Sequence, residues 1–246
     1  MQRFEGKVAI VTGAASGVGR ATTHRLASEG ATVFGVDMNE AGLAETFETV
    51  DQGAYYVADI SKRDGAHAAV ARCVEQFDAV HVRCNIAGVL RSHRLADVTE
   101  QDVAVIMGVN LCGTLWMAQA AMPHLLETSG SMVNIGSNAG IMGVAYQVAY
   151  SASKGAVIQL TRTLAMEFVK TGVRINCVAP GGIKTPMSKG AQLPEDADWE
   201  LIQPYIGFRS MSKPEELAAV IAFVASDDAS AMHGAIVSAD SALTTG

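Results

Sequence analysis

Several features are scarce in this chain, and each scarcity removes a class of function. Basic residues are outnumbered: 18 Lys and Arg face 25 Asp and Glu, for a net charge of −7. Nucleic acids and anionic membrane surfaces are held through basic patches, so neither is an expected partner. Cysteine occurs four times, at positions 73, 84, 112 and 177, with no Cys-x-x-Cys. Each lies among apolar neighbours, which predicts buried free thiols in a reducing compartment. The six histidines do not fall at metal-ligand spacings; His24 and His124 read as helix-surface residues, and no metal is expected. The longest apolar run, Leu217 to Ala225, is too short to span a bilayer. The opening MQRFEGKVAIVTG has neither a basic n-region nor an apolar h-region, so a cytoplasmic location is expected.

What is present is an apolar, globular chain. Of 246 residues, 49% are hydrophobic and 17% charged, enough for one α/β domain with a full core. No repeat, low-complexity tract or second-domain boundary interrupts it. Short β-branched runs alternate with helical stretches. Strands are expected at about 7–12, 31–36, 54–58, 79–84, 131–136, 173–178 and 235–239. Helices are expected to about Glu29, over about 39–50, to about Phe77, and over about 100–126, 149–170 and 213–226. Thr99 and Asp102 form a capping-box-like start for the helix at 100.

Two stretches carry chemistry. The first strand runs into Gly13-Ala-Ala-Ser-Gly17-Val-Gly19. Glycines at a strand-to-helix turn let backbone approach a pyrophosphate, whose charge the helix N-terminus attracts. The second strand then ends at Asp37, 18 residues after Gly19. An acid about 20 residues on can accept hydrogen bonds from an adenosine 2′-hydroxyl and repels a 2′-phosphate. No Arg or Lys lies between Gly13 and Gly19 to offset that repulsion, which favours NAD over NADP. The competing role for Asp37 is a helix cap.

The other stretch is Ser137 to Lys154. Tyr150 and Lys154 stand four residues apart, on one helix face. A cation beside a phenol favours phenolate, which makes Tyr150 a general acid or base, with Ser137 to hold a substrate oxygen. Ser137 sits at the C-terminal end of a strand, where open α/β sheets place ligands. Two residues stand out against their settings. Arg83 falls in a central strand, where a lone charge is costly. Asn110 falls mid-helix among apolar neighbours, either as a satisfied core amide or as a group that holds water through its side chain or a distorted backbone. Residues 187–210 read as a partly helical lid over an apolar site, or as a surface insertion.

Taken together, TGAASGVG (12–19), Asp37, Asp59, NIAG (85–88), Asn110, Ser137, YSASK (150–154) and PGGIKT (180–185) resemble the short-chain dehydrogenase/reductase family over nearly the whole chain. The resemblance implies a single Rossmann-like, doubly wound domain over 1–246, with a seven-stranded parallel sheet of order 3-2-1-4-5-6-7 and helices on both faces. It implies a homotetramer or dimer built on the two long helices. Tyr150 would be the acid/base and Ser137 the substrate-polarising hydroxyl. Lys154 would lower the tyrosine pKa and bind the nicotinamide ribose, and Asn110 would hold a relay water.

The cofactor would meet Gly13, Ser16, Val18 and Gly19 at its phosphates, and Asp37 at the ribose. Asp59 and Ile60 would meet the adenine, Asn85, Ala87 and Gly88 the middle, and Ile183 and Thr185 the nicotinamide amide. Asn138, Ile141, Met142, Val144, Gln147, Val89 and Met187 would face the substrate.

Three positions depart from the family pattern: Ile86 for an asparagine, Arg83 for an aliphatic residue, and Ala239-Asp-Ser-Ala242 for Val-Asp-Gly-Gly. The expectation is an NAD-dependent oxidoreductase acting on a secondary alcohol or ketone, with an apolar small-molecule substrate. The rivals are an NADPH-linked ketoreductase and a catalytically silent dinucleotide sensor or scaffold.

Overall fold

The computed structural model describes residues 2–190 and 192–245. Seven strands form one parallel sheet in the order β3-β2-β1-β4-β5-β6-β7. They are β1 (Val8–Thr12), β2 (Thr32–Asp37), β3 (Gly53–Val57), β4 (Val82–Asn85), β5 (Ser131–Ile135), β6 (Arg174–Pro180) and β7 (Ile236–Ala239). The helices are α1 (Gly17–Ser28), α2 (Glu40–Phe47), α3 (Arg63–Phe77), α4 (Glu100–Ile106), α5 (Thr114–Thr128), α6 (Val148–Glu167), α7 (Pro186–Gly190), α8 (Trp199–Ile206) and α9 (Pro214–Ala225). The expected fold and strand order are therefore observed, with ends shifted by a few residues.

Alternation along the strands sends side chains to two cores. Ile10, Phe34, Met132 and Ile175 pack with Ala69, Cys73, Met117 and Ala121 on the α3–α5 side. Val11, Val33, Val133 and Val178 pack with Leu26, Leu43, Leu217 and Ile221 on the α1–α9 side. Burial on both faces explains why the strands read as continuous apolar runs. Cys73, Cys84 and Cys177 are buried free thiols, whereas Cys112 is half-buried. Burial pushes Cys73 and Cys84 up to about 12 and Cys177 up to about 11, so none of the three is a thiolate near neutrality.

The helix expected over 100–126 differs in one respect. Its capping box is present: Thr99 accepts from the Asp102 N–H at 3.1 Å, and Asp102 accepts from the Thr99 N–H at 3.1 Å. Between α4 and α5, however, Met107–Gly113 forms a π-helical turn. Such widened turns occur where a side chain's bonds outweigh regular helix geometry. Asn110 lies inside this one and is fully buried.

Arg83 pairs in register with Ile10 and Met132, both on the α3–α5 side. It is 0% exposed, and among the described residues no carboxylate pairs with it. Its Nη1 donates to the Cys84 carbonyl at 2.7 Å and its Nη2 to Asn85 Oδ1, while Nε has no partner. Burial pushes the guanidinium down to about 9. From Arg83 a buried polar chain crosses the sheet. Asn85 Nδ2 donates to Asn134 Oδ1 at 2.6 Å, and Asn134 Nδ2 donates to Thr161 Oγ1 on α6 at 3.0 Å.

Candidate active site

The sheet order reverses between β1 and β4, and the C-terminal ends of the strands splay into a crevice there. A cavity of about 490 Å³ occupies it, running from Asp37, Asp59 and Ile60 past the glycine turn to Ser137, Tyr150 and Lys154.

The glycine end is bare backbone. A β-carbon on Gly13 would stand 3.0 Å from the Ala87 backbone, and one on Gly19 would overlap the Gly13 carbonyl oxygen. Only residues without a side chain let the β1–α1 turn, the post-β4 loop and α1 approach this closely. The Ser16 hydroxyl is not used as a helix cap, so it and the first-turn N–H groups of α1 stay open to an anion. Thr12 fixes the opposite wall: its Oγ1 accepts from the N–H groups of Ile86 at 3.0 Å and Ala87 at 3.2 Å.

Asp37 is oriented by two backbone donors, Ala15 N–H at 3.2 Å and Asn39 N–H at 3.0 Å. Asn39, not Asp37, caps α2 by accepting from the Gly42 N–H at 3.1 Å. Around this end the lining residues carry no cation; Lys154, at the far end, is the only one among them. Arg20 lies nearby but is tied to Glu45 at 2.7 and 2.8 Å and to the Ala15 carbonyl at 2.7 Å. These donors, bare backbone and fixed carboxylate fit a dinucleotide.

At the other end Ser137 follows β5, and Tyr150 and Lys154 lie on the first turns of α6. Lys154 Nζ is 5.9 Å from the Tyr150 ring centroid and donates to the Ile135 carbonyl at 2.9 Å. Burial pushes this lysine down to about 8. Burial also pushes Tyr150 up, partly offset by the neighbouring Ser137 hydroxyl, which itself donates to Asn138 Oδ1 at 3.2 Å and accepts from the Ala139 N–H at 3.1 Å. The expected lowering of Tyr150 by Lys154 is thus not seen in the free protein. The ammonium is spent on a carbonyl, and desolvation of the phenolate dominates. Phenol, hydroxyl and amine still converge on one spot, which suits proton transfer to and from a substrate oxygen.

Gly13, Ser16, Val18, Gly19, Asp37, Asp59, Ile60, Ala87, Gly88, Ile183 and Thr185 all line the cavity. Two expected site residues do not. Asn85, last in β4, turns its side chain into the core toward Asn134, and Ile86 takes the wall position instead. Asn110 lies behind the wall. Its Oδ1 accepts from the Val89 N–H at 2.8 Å, and its Nδ2 donates to the Val89 carbonyl and Ser153 Oγ, both at 3.0 Å. It clamps the Gly88–Leu90 segment, and its side-chain amide is committed to that task.

Of the substrate-facing residues, Val89, Asn138, Val144, Gln147 and Met187 line the cavity, while Ile141 and Met142 do not. Ile141 is exposed. Leu90, Tyr205 and Met211 complete the apolar wall. The aromatic and apolar pattern of 187–210 was the signal for Tyr205. Among the described residues, no group of three or more His, Cys, Asp or Glu could hold a metal.

The family model described as enoyl-(acyl carrier protein) reductase matches residues 13–244. The chain belongs to the short-chain dehydrogenase/reductase family. This short-chain dehydrogenase/reductase is 38% identical to the 3-oxoacyl-(acyl-carrier-protein) reductase of Thermotoga maritima, over 98% of its own length and 99% of the relative's. It is 35% identical to the meso-2,3-butanediol dehydrogenase of Serratia marcescens, over 98% and 96%. Among solved structures it superimposes on a short chain dehydrogenase from Mycobacterium paratuberculosis bound to NAD with a TM-score of 0.93, at 28% identity, covering 99% and 100% of the two chains. Membership in this family supports alcohol/ketone-type oxidoreduction with a nicotinamide dinucleotide.

Proposed function

We propose that the protein interconverts a secondary alcohol and a ketone, with NAD preferred over NADP and Tyr150 as acid/base. The observation that carries this reading is one cavity with a fixed, uncompensated Asp37 at one end and Ser137, Tyr150 and Lys154 at the other. Bound nicotinamide supplies the hydride acceptor or donor. The protein's residues do the rest. Ser137 and Tyr150 hold the substrate oxygen, and Tyr150 takes its proton in oxidation and returns it in reduction. Lys154 secures the nicotinamide ribose, and Val89, Leu90, Val144, Met187, Tyr205 and Met211 exclude water around the carbinol carbon. A mostly apolar lining with Asn138 and Gln147 as polar anchors supports a hydrophobic substrate.

Exposed Val103, Leu126, Val148, Met166 and Val169 on and beside α4, α5 and α6 support a homo-oligomer, a tetramer or dimer. The kinship with an acyl-carrier-protein reductase supports the second reading, an NADPH-linked ketoreductase, but Asp37 opposes it.

The test is nicotinamide absorbance during incubation with NAD⁺ or NADP⁺ and a panel of cyclic, linear and steroidal secondary alcohols. Turnover with NAD⁺ is expected. Faster turnover with NADP⁺, or turnover of charged alcohols alone, overturns the corresponding part of the proposal.

A further inference from the structure

Three loops meet beside the substrate end of the cavity, and one side chain joins them. Arg94 lies in the loop after β4. Its Nε donates to Asp196 Oδ1 at 2.9 Å and its Nη2 to the Asp196 carbonyl at 2.6 Å, with Nη2 also 2.8 Å from Asp196 Oδ2. The same guanidinium sits 5.6 Å over the ring of Tyr146, in the loop after β5. Tyr146 continues the link. Its hydroxyl accepts from the Asp198 N–H at 2.8 Å, and its carbonyl accepts from the His93 N–H at 2.8 Å. Asp198 then caps α8 by accepting from the Glu200 N–H at 2.9 Å. Tyr146 has a φ of 65°, a left-handed conformation strained for a residue with a β-carbon. Such strain persists only where surrounding contacts hold it.

What the cluster holds matters for the site. Val144 and Gln147 flank Tyr146 and line the cavity, and α8 brings in Tyr205. Neither Arg94 nor Tyr146 lines that cavity. We propose that Arg94 and Tyr146 are positioning residues: together with Asp196 and Asp198 they latch α8 and the loop just before it, residues 194–206, over the substrate and set substrate affinity without touching the cofactor.

Arg94 and Asp196 keep 40% and 74% of their side-chain surface exposed. The pair is therefore weak and salt-screened, suited to a latch that releases on each turnover. The inference rests on the reading of this cavity as a substrate site for alcohol–ketone exchange.

The test uses the full-length protein with R94M, which keeps the aliphatic stem, Y146F, which keeps the ring, and the exchange R94D/D196R. R94M and Y146F should each raise the substrate KM about two- to fivefold with kcat within about twofold and NADH affinity unchanged. Amide hydrogen exchange over residues 196–206 should quicken by about tenfold. The exchanged pair should recover part of the lost affinity. The wild-type KM should rise with salt, and the R94M value should not.

Unchanged KM and unchanged exchange in both single variants overturn the latch. So does a loss of NADH affinity as large as the loss in KM, which means the whole crevice has loosened. Should no alcohol turn over with the wild type, the functional reading fails, while the exchange rates still decide whether the segment is latched.

Discussion

Lys154 donates to the Ile135 carbonyl at 2.9 Å while its ammonium lies 5.9 Å from the Tyr150 ring centroid. Helix α6 is thereby tied to the end of β5 by a cation that is 4% exposed. Its folded pKa of about 8 lies below the ordinary 10.5. Between those values the unfolded chain binds the extra proton, so this residue's destabilising effect is full below pH 8 and fades as the pH rises to 10.5. The shift corresponds to about 3 kcal/mol at neutral pH, less about 1 for the lost carbonyl hydrogen bond. K154M should therefore unfold at a higher urea midpoint than wild type at pH 7, lose that advantage by pH 10.5, and be inactive. Equal or lower stability at pH 7 contradicts the assignment.

Burial pushes Tyr150 above its ordinary value and outweighs the opposing effect of the nearby Ser137 hydroxyl. A raised pKa leaves little phenolate at neutrality. Alcohol oxidation should climb with pH well into the alkaline range, and ketone reduction should fall over the same interval. In Y150F the rate should drop about 10²- to 10⁴-fold and the pH limb should vanish. NADH fluorescence titration should show affinity nearly intact. Retained turnover with an unchanged limb assigns the proton transfer to another group.

Asp37 is held by the Ala15 and Asn39 N–H groups and faces no cation. Replacing it with Ala and its neighbour Met38 with Arg removes the repulsion and supplies a partner for a 2′-phosphate. The double variant should lose about tenfold in NADH affinity and gain at least as much for NADPH. Fluorescence titration with both cofactors measures the ratio; an unmoved ratio places the discrimination elsewhere.

Arg83 is a buried cation with two neutral acceptors and an unpartnered Nε. A methionine fills similar length without charge. R83M should raise stability by about 1–3 kcal/mol in urea unfolding, since removing a buried charge outweighs freeing Asn85 Oδ1. A loss of stability means that the polar chain to Asn134 and Thr161 is worth more than the desolvation it costs.

The fold was legible because most strands are short, largely apolar runs that alternate with helical stretches, and the helix at 100 carries its own start signal in Thr99 and Asp102. The site was legible where function follows from local spacing: Tyr150 to Lys154, Gly13 to Gly19, and Asp37 at a strand end. It was not legible where the partner is distant in sequence. Arg94 meets Asp196 across 102 positions, and Asn110 meets Val89 across 21. Asn85 looked like a site residue because the rest of its motif lines the cavity, but strand alternation turns that side chain inward. The direction of the Tyr150 shift depends on burial, which the i, i+4 relation does not encode.

The crevice divides its work along the strand order. The turns after β1, β2 and β3 build the end with Asp37 and Asp59, while the loops after β4, β5 and β6 build the end with Ser137, Tyr150 and the α7–α8 segment. Under the proposed function the adenosine half of the dinucleotide and the substrate would be read by separate stretches of chain, while the nicotinamide half would meet Lys154, Ile183 and Thr185 between them. Exchanging residues 199–211 for a relative's should therefore change the accepted substrate and leave the NADH-to-NADPH affinity ratio, set near Asp37, unmoved.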